Sequence, residues 1–226
     1  MGLFGNNNAD TTGYNCQQIN DLRGEINDIA QKSGTNIVER LHDEIIVPMS
    51  TVWYAPEAKE FFEGLATTVR ATGEGITKAF DTFRAAVQAA GEEWAENTGG
   101  ERPSLSPIDN VELALNVSDI QESNAGNVTI DGTQASTIAS RLTEVQENIK
   151  SDLQSLAAKL SAESAFIGQG QASAVEQCFV TVSGEIYKIF SYLTEGEDSL
   201  QGQINKAVKK YQDVSGNITG AFTNVN

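Results

Sequence analysis

Few residues in this sequence have the types and spacing that catalysis or metal binding requires. His42 is the only histidine, so a His-x-x-x-His zinc pattern and a two-histidine acid–base pair are both excluded. Two cysteines, Cys16 and Cys178, are too few for a zinc site or a disulfide framework. The sequence therefore predicts no catalytic residues, no metal site and no cofactor.

Glycine-rich fragments occur at Gly73-Glu74-Gly75 and Gly168-Gln169-Gly170. Neither fragment follows a predicted strand, and no Lys-Ser or Lys-Thr pair completes a phosphate-binding loop. The chain also contains no Gly-x-Ser-x-Gly nucleophile elbow and no Ser-x-x-Lys motif. We therefore expect a protein that is not an enzyme and that acts by binding.

The charge balance restricts the partners that the chain can bind. It carries 31 Asp and Glu against 15 Lys and Arg, a formal net charge of −16. Phosphate binding depends on clustered Lys and Arg, and such an acidic surface repels nucleic acid and anionic lipid. The densest basic stretch, Lys206, Lys209 and Lys210, has the spacing of a solvated helix face. The sequence thus predicts protein partners, in a larger assembly if the chain is a structural component, and no nucleic acid.

The sequence shows neither the pattern of a membrane span nor that of a secretory signal. No apolar run approaches the roughly 18 residues of a membrane span, so we expect no transmembrane segment. The first eight residues have neither a basic region nor an apolar core, so the sequence predicts no general secretory signal.

Helical periodicity covers most of the chain. The four prolines, at positions 48, 56, 103 and 107, fall between the candidate helices, as expected for a residue that disrupts helix interiors. Apolar stripes at steps of three and four residues predict helices over about 14–47, from Pro56 to near Asn97, over a third block from Ile138 to Leu160, and over a fourth from Ala172 to about Val214. Glycines near the middle of the second and fourth helices favour a kink or a break there.

The segment between the second and third helices differs from the rest. Residues 111–118 alternate apolar and polar side chains, a turn-forming Asn124-Ala-Gly-Asn127 follows, and Val128–Asp131 reads as a second extended run. This pattern predicts a small β-hairpin in the linker. Since an isolated hairpin is marginally stable, we expect its apolar side chains to pack on the helices or on a partner, as a contact segment consisting of Val111, Leu113, Leu115, Val128 and Ile130.

These elements predict an all-α fold in which two antiparallel helical hairpins form a four-helix bundle, with the β-hairpin inserted in the linker. The predicted organisation is a flexible N-terminal arm over 1–13, a first helical hairpin over 14–100, the linker over 101–135, and a second hairpin with a C-terminal tail over 136–226.

The elbows of the two hairpins carry a more specific signal. The first elbow, Trp53-Tyr54-Ala55-Pro56, places a large aromatic residue two positions before a small one. The second, Phe166-Ile167-Gly168, repeats this pattern. It resembles the Trp-x-Gly elbow of the WXG family, small helical hairpins handled by type VII secretion systems, with Ala55 in place of the family's glycine and Phe166 in place of its tryptophan. The resemblance implies a tandem fusion of two hairpins that acts by helix packing.

Two functions remain open at this point. The resemblance implies a secretion-associated protein exported by a non-classical, type VII-like route. The family's export signal is Tyr-x-x-x-Asp/Glu, but no tyrosine here satisfies it, since Tyr211 is followed four residues later by Ser215. The alternative is a structural component of a bacteriophage virion or similar particle, cytoplasmic before assembly. The virion alternative explains the missing signal.

Overall fold

The structure is a computed structural model that describes residues 12–121, 123, 127–157 and 160–223. Helices α1 (Cys16–Leu41), α2 (Val47–Val52), α3 (Pro56–Thr98), α4 (Gly132–Ala157), α5 (Ala162–Ala165), α6 (Gln169–Ile189) and α7 (Leu200–Thr223) make up most of it. A π-helical turn over His42–Ile46 joins α1 to α2, and a 3-10 turn over Phe190–Leu193 follows α6. Among these residues, no helix combines the length and apolarity needed to cross a membrane.

The described part of the chain also contains four two-residue strands: β1 (Gly13–Tyr14), β2 (Trp53–Tyr54), β3 (Thr129–Ile130) and β4 (Phe166–Ile167). They form two separate antiparallel pairs, β1 with β4 and β2 with β3. The fold is therefore all-α with small antiparallel strand pairs, as the sequence predicts at this coarser level.

The predicted helices are largely confirmed. The second begins at Pro56, whose fixed φ and missing N–H suit the first helical position, and ends at Thr98. The predicted break in the fourth helix is confirmed at Gly196, which has φ +88°. The break expected near Gly73 and Gly75 is wrong, because α3 continues through both glycines and buried side chains flank them at Val69 and Ile76.

Pro48 departs from its predicted place between helices. It lies in the first turn of α2, directly after the π-helical turn. A proline inside an α-helix removes one N–H donor and its ring clashes with the carbonyl four residues earlier. The wider π-helical turn accommodates both effects, so helical backbone continues from Cys16 to Val52.

The predicted linker hairpin is wrong. Residues 101–117 have no regular secondary structure, and β3 pairs with β2 instead of with this segment. Helix side chains satisfy the segment's backbone: Asn20 Oδ1 accepts from the Ser104 N–H at 2.8 Å, and Thr77 Oγ1 accepts from the Val111 N–H at 2.8 Å. The alternating pattern correctly indicated an extended chain, but the partners of its backbone are polar helix side chains.

The chain divides into two compact units. Unit 1 consists of Met1–Gly34, Gly73–Glu112 and Lys150–Ile186, and unit 2 of Thr35–Thr72, Leu113–Ile149 and Tyr187–Asn226. Each unit therefore draws residues from both predicted hairpins. The predicted arm over 1–13 lies outside the described residues as far as residue 11, and Gly13 belongs to β1.

Each unit has its own apolar core. In unit 1, Phe179 of α6 meets two rings of α3, with ring centroids 5.9 Å from Phe80 and 5.3 Å from Phe83. All three rings are fully buried. In unit 2 the buried side chains include Trp53, Phe62, Ile138, Leu142, Phe190 and Ile204.

Candidate functional site

The two elbows predicted from the sequence are built in the same way, one in each unit. At elbow 1 (residues 53–55, in unit 2) the strand β2 links α2 to α3, and at elbow 2 (residues 166–168, in unit 1) the strand β4 links α5 to α6. In both elbows, the carbonyl oxygen of the residue directly after the strand accepts a hydrogen bond from the N–H three residues later, which closes a turn. The Ala58 N–H donates to Ala55 O, and the Gln171 N–H donates to Gly168 O, each at 3.1 Å.

The chain can be divided in the linker into a first half, which ends at Gln121, and a second half, which begins at Asn127. Each elbow strand pairs with the strand that precedes the first helix of the other half. Trp53 is opposite Ile130, and Tyr14 is opposite Phe166. One further backbone hydrogen bond extends each pair, from Asn15 N–H to Ala165 O at 2.9 Å and from Asp131 N–H to Val52 O at 2.8 Å. The first half therefore closes the elbow of the second half, and the reverse also holds.

The strands β1 and β3 lead directly into capped helices. Asn15 Oδ1 accepts from the Gln18 N–H at 3.2 Å, and Asp131 Oδ1 accepts from the Gln134 N–H at 3.0 Å. The latter bond is the main reason that the pKa of Asp131 is lowered. The strand β1 was not predicted from the sequence, whereas β3 lies in the extended run predicted at Val128–Asp131 but pairs with β2. An Asn or Asp followed three residues later by Gln, a recognised helix-start signal, occurs directly after both strands.

Of the elbow residues predicted from the sequence, three are buried, whereas Gly168 is half-buried and Pro56 is exposed. Trp53 and Phe166 are each 2% exposed, and Ala55 is fully buried. Gly168 has φ +124°, in the region that favours glycine, whereas the described non-glycine residues show no positive φ. Ala55 therefore takes the place that Gly168 has at elbow 2 without strain, because the first elbow turns without a positive φ.

Elbow 1 is covered by the C-terminal helix. At this elbow, the indole ring of Trp53 lies 5.6 Å from the Phe61 ring and 6.0 Å from the Phe62 ring, measured between centroids. The Tyr211 hydroxyl of α7 donates to Glu57 Oε1 in the first turn of α3. Burial, followed by the Glu57 carboxylate, raises the pKa of Tyr211 to about 12, and the Tyr211 hydrogen bond lowers the pKa of Glu57.

Elbow 2 adjoins an open groove in unit 1. A cavity of about 540 Å³ lies between the C-terminal half of α3 and the start of α6. The Phe166 ring forms one end of it, Trp94 lines it from α3, and the alanines Ala86, Ala90 and Ala174 form its walls. Trp94 in turn stacks on Tyr14 of β1 at a centroid distance of 6.1 Å. Nothing in the helical periodicity distinguished these alanines from ordinary helix residues.

The predicted contact segment is divided by the structure. Val111, Leu113 and Leu115 are at most 6% exposed, so their side chains are already packed within this chain. Ile130 is half-buried opposite Trp53 in the β2–β3 pair. Val128 alone of the five remains exposed, at 47%.

The single histidine joins the linker to the helical backbone of unit 2. His42 Nε2 lies 3.0 Å from Asp119 Oδ2, and Nδ1 lies 2.8 Å from Asp43 Oδ1. Hydrogen bonding to Asp43 is the largest influence that raises the pKa of His42, and Asp119 acts in the same direction. No group of three or more His, Cys, Asp or Glu side chains arranged to hold a metal ion occurs among the described residues.

Together the fold and the two elbows define a helical, bundle-like protein in which a strand-bridged elbow occurs twice. Comparison with models of known protein families, with curated proteins and with solved structures gives no match.

Proposed function

We propose that this chain is a non-enzymatic interaction protein that resembles a tandem fusion of WXG-type hairpins and acts by packing its helices against a partner protein. The reciprocal closure of the elbows carries this proposal. Ile130 of the second half lies opposite Trp53 of the first, and Tyr14 of the first lies opposite Phe166 of the second. Two hairpins that complete each other in this way have the organisation expected of a fused pair.

We also propose that the two hairpins form one four-helix bundle. Helices of both halves share a core within unit 1, where Phe179 of α6 contacts Phe80 and Phe83 of α3. An insertion of a protease site between Gln121 and Asn127 tests this arrangement. The two halves should remain associated after cleavage and should elute together in gel filtration, whereas separate elution would contradict the fused-pair interpretation.

The secretion role is tested by export. The tagged chain is expressed in a bacterium with a type VII system and in a strain that lacks the ATPase of that system, with a cytoplasmic enzyme as the lysis control. If the function depends on export by this system, the chain should be found in the medium of the first strain only. Equal amounts in both media, or retention in both cells, would contradict it.

A virion role is the second candidate, and one observation favours it. Tyr211, the tyrosine nearest the C-terminus, lacks the acidic residue four positions later that the export signal requires, and its hydroxyl is bound to Glu57. Mass spectrometry of purified particles from the native host tests this candidate. A particle proteome that contains the chain at stoichiometric amounts would support it, and a proteome without the chain would refute it.

A further inference from the structure

The groove beside elbow 2 has a counterpart at elbow 1 that is already filled. Counted from the first residue of each elbow strand, Ala174 occupies the position of Phe61, and Phe166 that of Trp53. The Phe61 ring packs 5.6 Å from Trp53 and 5.1 Å from Phe62. Unit 2 thus places an aromatic ring where unit 1 has an alanine methyl group and a cavity of about 540 Å³.

One residue that lines the groove, Gln171, has an amide oxygen that lacks a donor. Gln171 Oε1 is buried and has no hydrogen-bond partner among the described residues. The corresponding position at elbow 1 is Ala58, which is fully buried and has no side-chain polar atom. Because a buried acceptor without a donor costs free energy, rotation of the Gln171 side chain toward an occupant that brings an N–H would gain a hydrogen bond that the free protein lacks.

The charged residues on the two helices that line the groove are mostly acidic. Residues 83–98 of α3 and 169–180 of α6 contain Glu92, Glu93, Glu96 and Glu176. Arg84 is the basic residue in these stretches, and it is paired with Asp81 at 2.8 Å. Glu93 itself lines the cavity. An occupant with basic residues beside its apolar face would be complementary to this surface.

We propose that the groove binds a helix of a partner protein that inserts one aromatic side chain at the Ala174 position, with Lys or Arg residues on the flanks of that helix. A tryptophan fits best, because its indole ring replaces the missing counterpart of Phe61 and its N–H can donate to Gln171 Oε1 once the Gln171 side chain rotates toward the groove. Aromatic anchors in desolvated pockets are typical centres of protein interfaces. This inference rests on the proposed function, since it assumes that the chain acts by packing against a partner.

The test uses the full chain and a defined peptide. The probe is a fluorescein-labelled peptide of about 20 residues, built of Ala and Lys with one central Trp, because shorter alanine-rich peptides form only marginal helices in water. The matched peptide has Ala in place of the Trp. Fluorescence anisotropy should give a dissociation constant about 10-fold lower for the Trp peptide than for the Ala peptide.

Variants of the chain separate groove binding from general charge attraction. Ala174→Phe fills the groove from α6 as Phe61 does at elbow 1, and Ala90→Leu narrows it from α3. Both should weaken binding of the Trp peptide about 10-fold, to the level of the Ala peptide. Ser173→Phe adds the same bulk at a neighbouring exposed position that does not line the cavity and should leave the affinity unchanged. Circular dichroism confirms that each variant is folded.

Equal affinity for the two peptides, or undiminished binding by folded Ala174→Phe and Ala90→Leu, would overturn the proposal. So would failure of the wild-type chain to bind the Trp peptide at all. These outcomes leave export and particle association untouched, so failure of the groove is distinguishable from failure of the proposed function.

Discussion

Removal of the Trp53 side chain is the most direct test of the elbow as a structural unit. The indole is 2% exposed and packs against the rings of Phe61 and Phe62. Trp53→Ala would leave a cavity at the end of the unit 2 core, and truncation of a buried large aromatic side chain typically costs about 3–5 kcal/mol of unfolding free energy. Trp53→Phe keeps a ring of the kind found at Phe166 and should cost less.

Urea unfolding followed by far-ultraviolet circular dichroism measures this loss. With a denaturant slope of about 2–3 kcal/mol/M, the Trp53→Ala midpoint should fall by about 1–2 M. Fluorescence gives an independent reading in a Trp94→Phe background, where Trp53 is the remaining tryptophan. Its emission should be shifted to short wavelength, because the ring is removed from water.

A Trp53→Ala midpoint equal to that of the parent would refute the contribution of the indole to the core. So would Trp53 emission in the Trp94→Phe background that matches that of a water-exposed indole. Trp94→Phe alone serves as the control, since Trp94 belongs to unit 1 and its replacement leaves the rings of elbow 1 in place.

Three further predictions concern other parts of the molecule. Gly168→Ala should lower the unfolding free energy by about 1–3 kcal/mol, because alanine is strained at φ +124°; an unchanged urea midpoint would contradict this. The raised pKa of His42, held chiefly by Asp43 and also by Asp119, means that its stabilisation is complete below the unfolded value of 6.5 and disappears as the pH rises through the folded value. The free energy of unfolding should therefore decrease more steeply in the parent than in His42→Gln as the pH rises above 6.5, and identical pH profiles would refute the role of the imidazolium. Leu153→Asp places a carboxylate at a site that is 1% exposed, so calorimetry should show a lower melting temperature and a loss of at least about 3 kcal/mol, whereas an unchanged melting temperature would place Leu153 outside the core.

The linker shows why a correct local pattern led to an incorrect pairing. Alternation of apolar and polar residues at Val111, Leu113 and Leu115 predicts an extended chain with one buried face, and these side chains are buried. Alternation does not identify the partner of the backbone. In the folded protein, helix side chains such as Thr77 supply it, and the strand β3 pairs with Trp53–Tyr54.

The elbows show the opposite case, in which part of a site could be predicted from the sequence. The aromatic residues and the small residue after them were recognisable at both positions. The strand β3 lies in the extended run predicted at Val128–Asp131, but β1 and the pairing of both strands with the elbows were not predicted. Two-residue strands have no period of their own and pair with segments far away in the chain. The capping pattern that begins at Asn15 and Asp131 was the available signal, since it marks the chain directly after each strand.

The sequence by itself determined the helices, their approximate ends and the absence of a recognisable catalytic pattern. These properties depend on local spacing: a stripe such as that of α3 repeats every three or four residues, and Pro56 and Gly196 mark boundaries through their own backbone geometry. Only the tertiary structure decided which elbow each strand closes and where a groove is left open. Both depend on contacts between distant residues, so that Ala174 lines a cavity while its counterpart Phe61 fills the corresponding place beside Trp53.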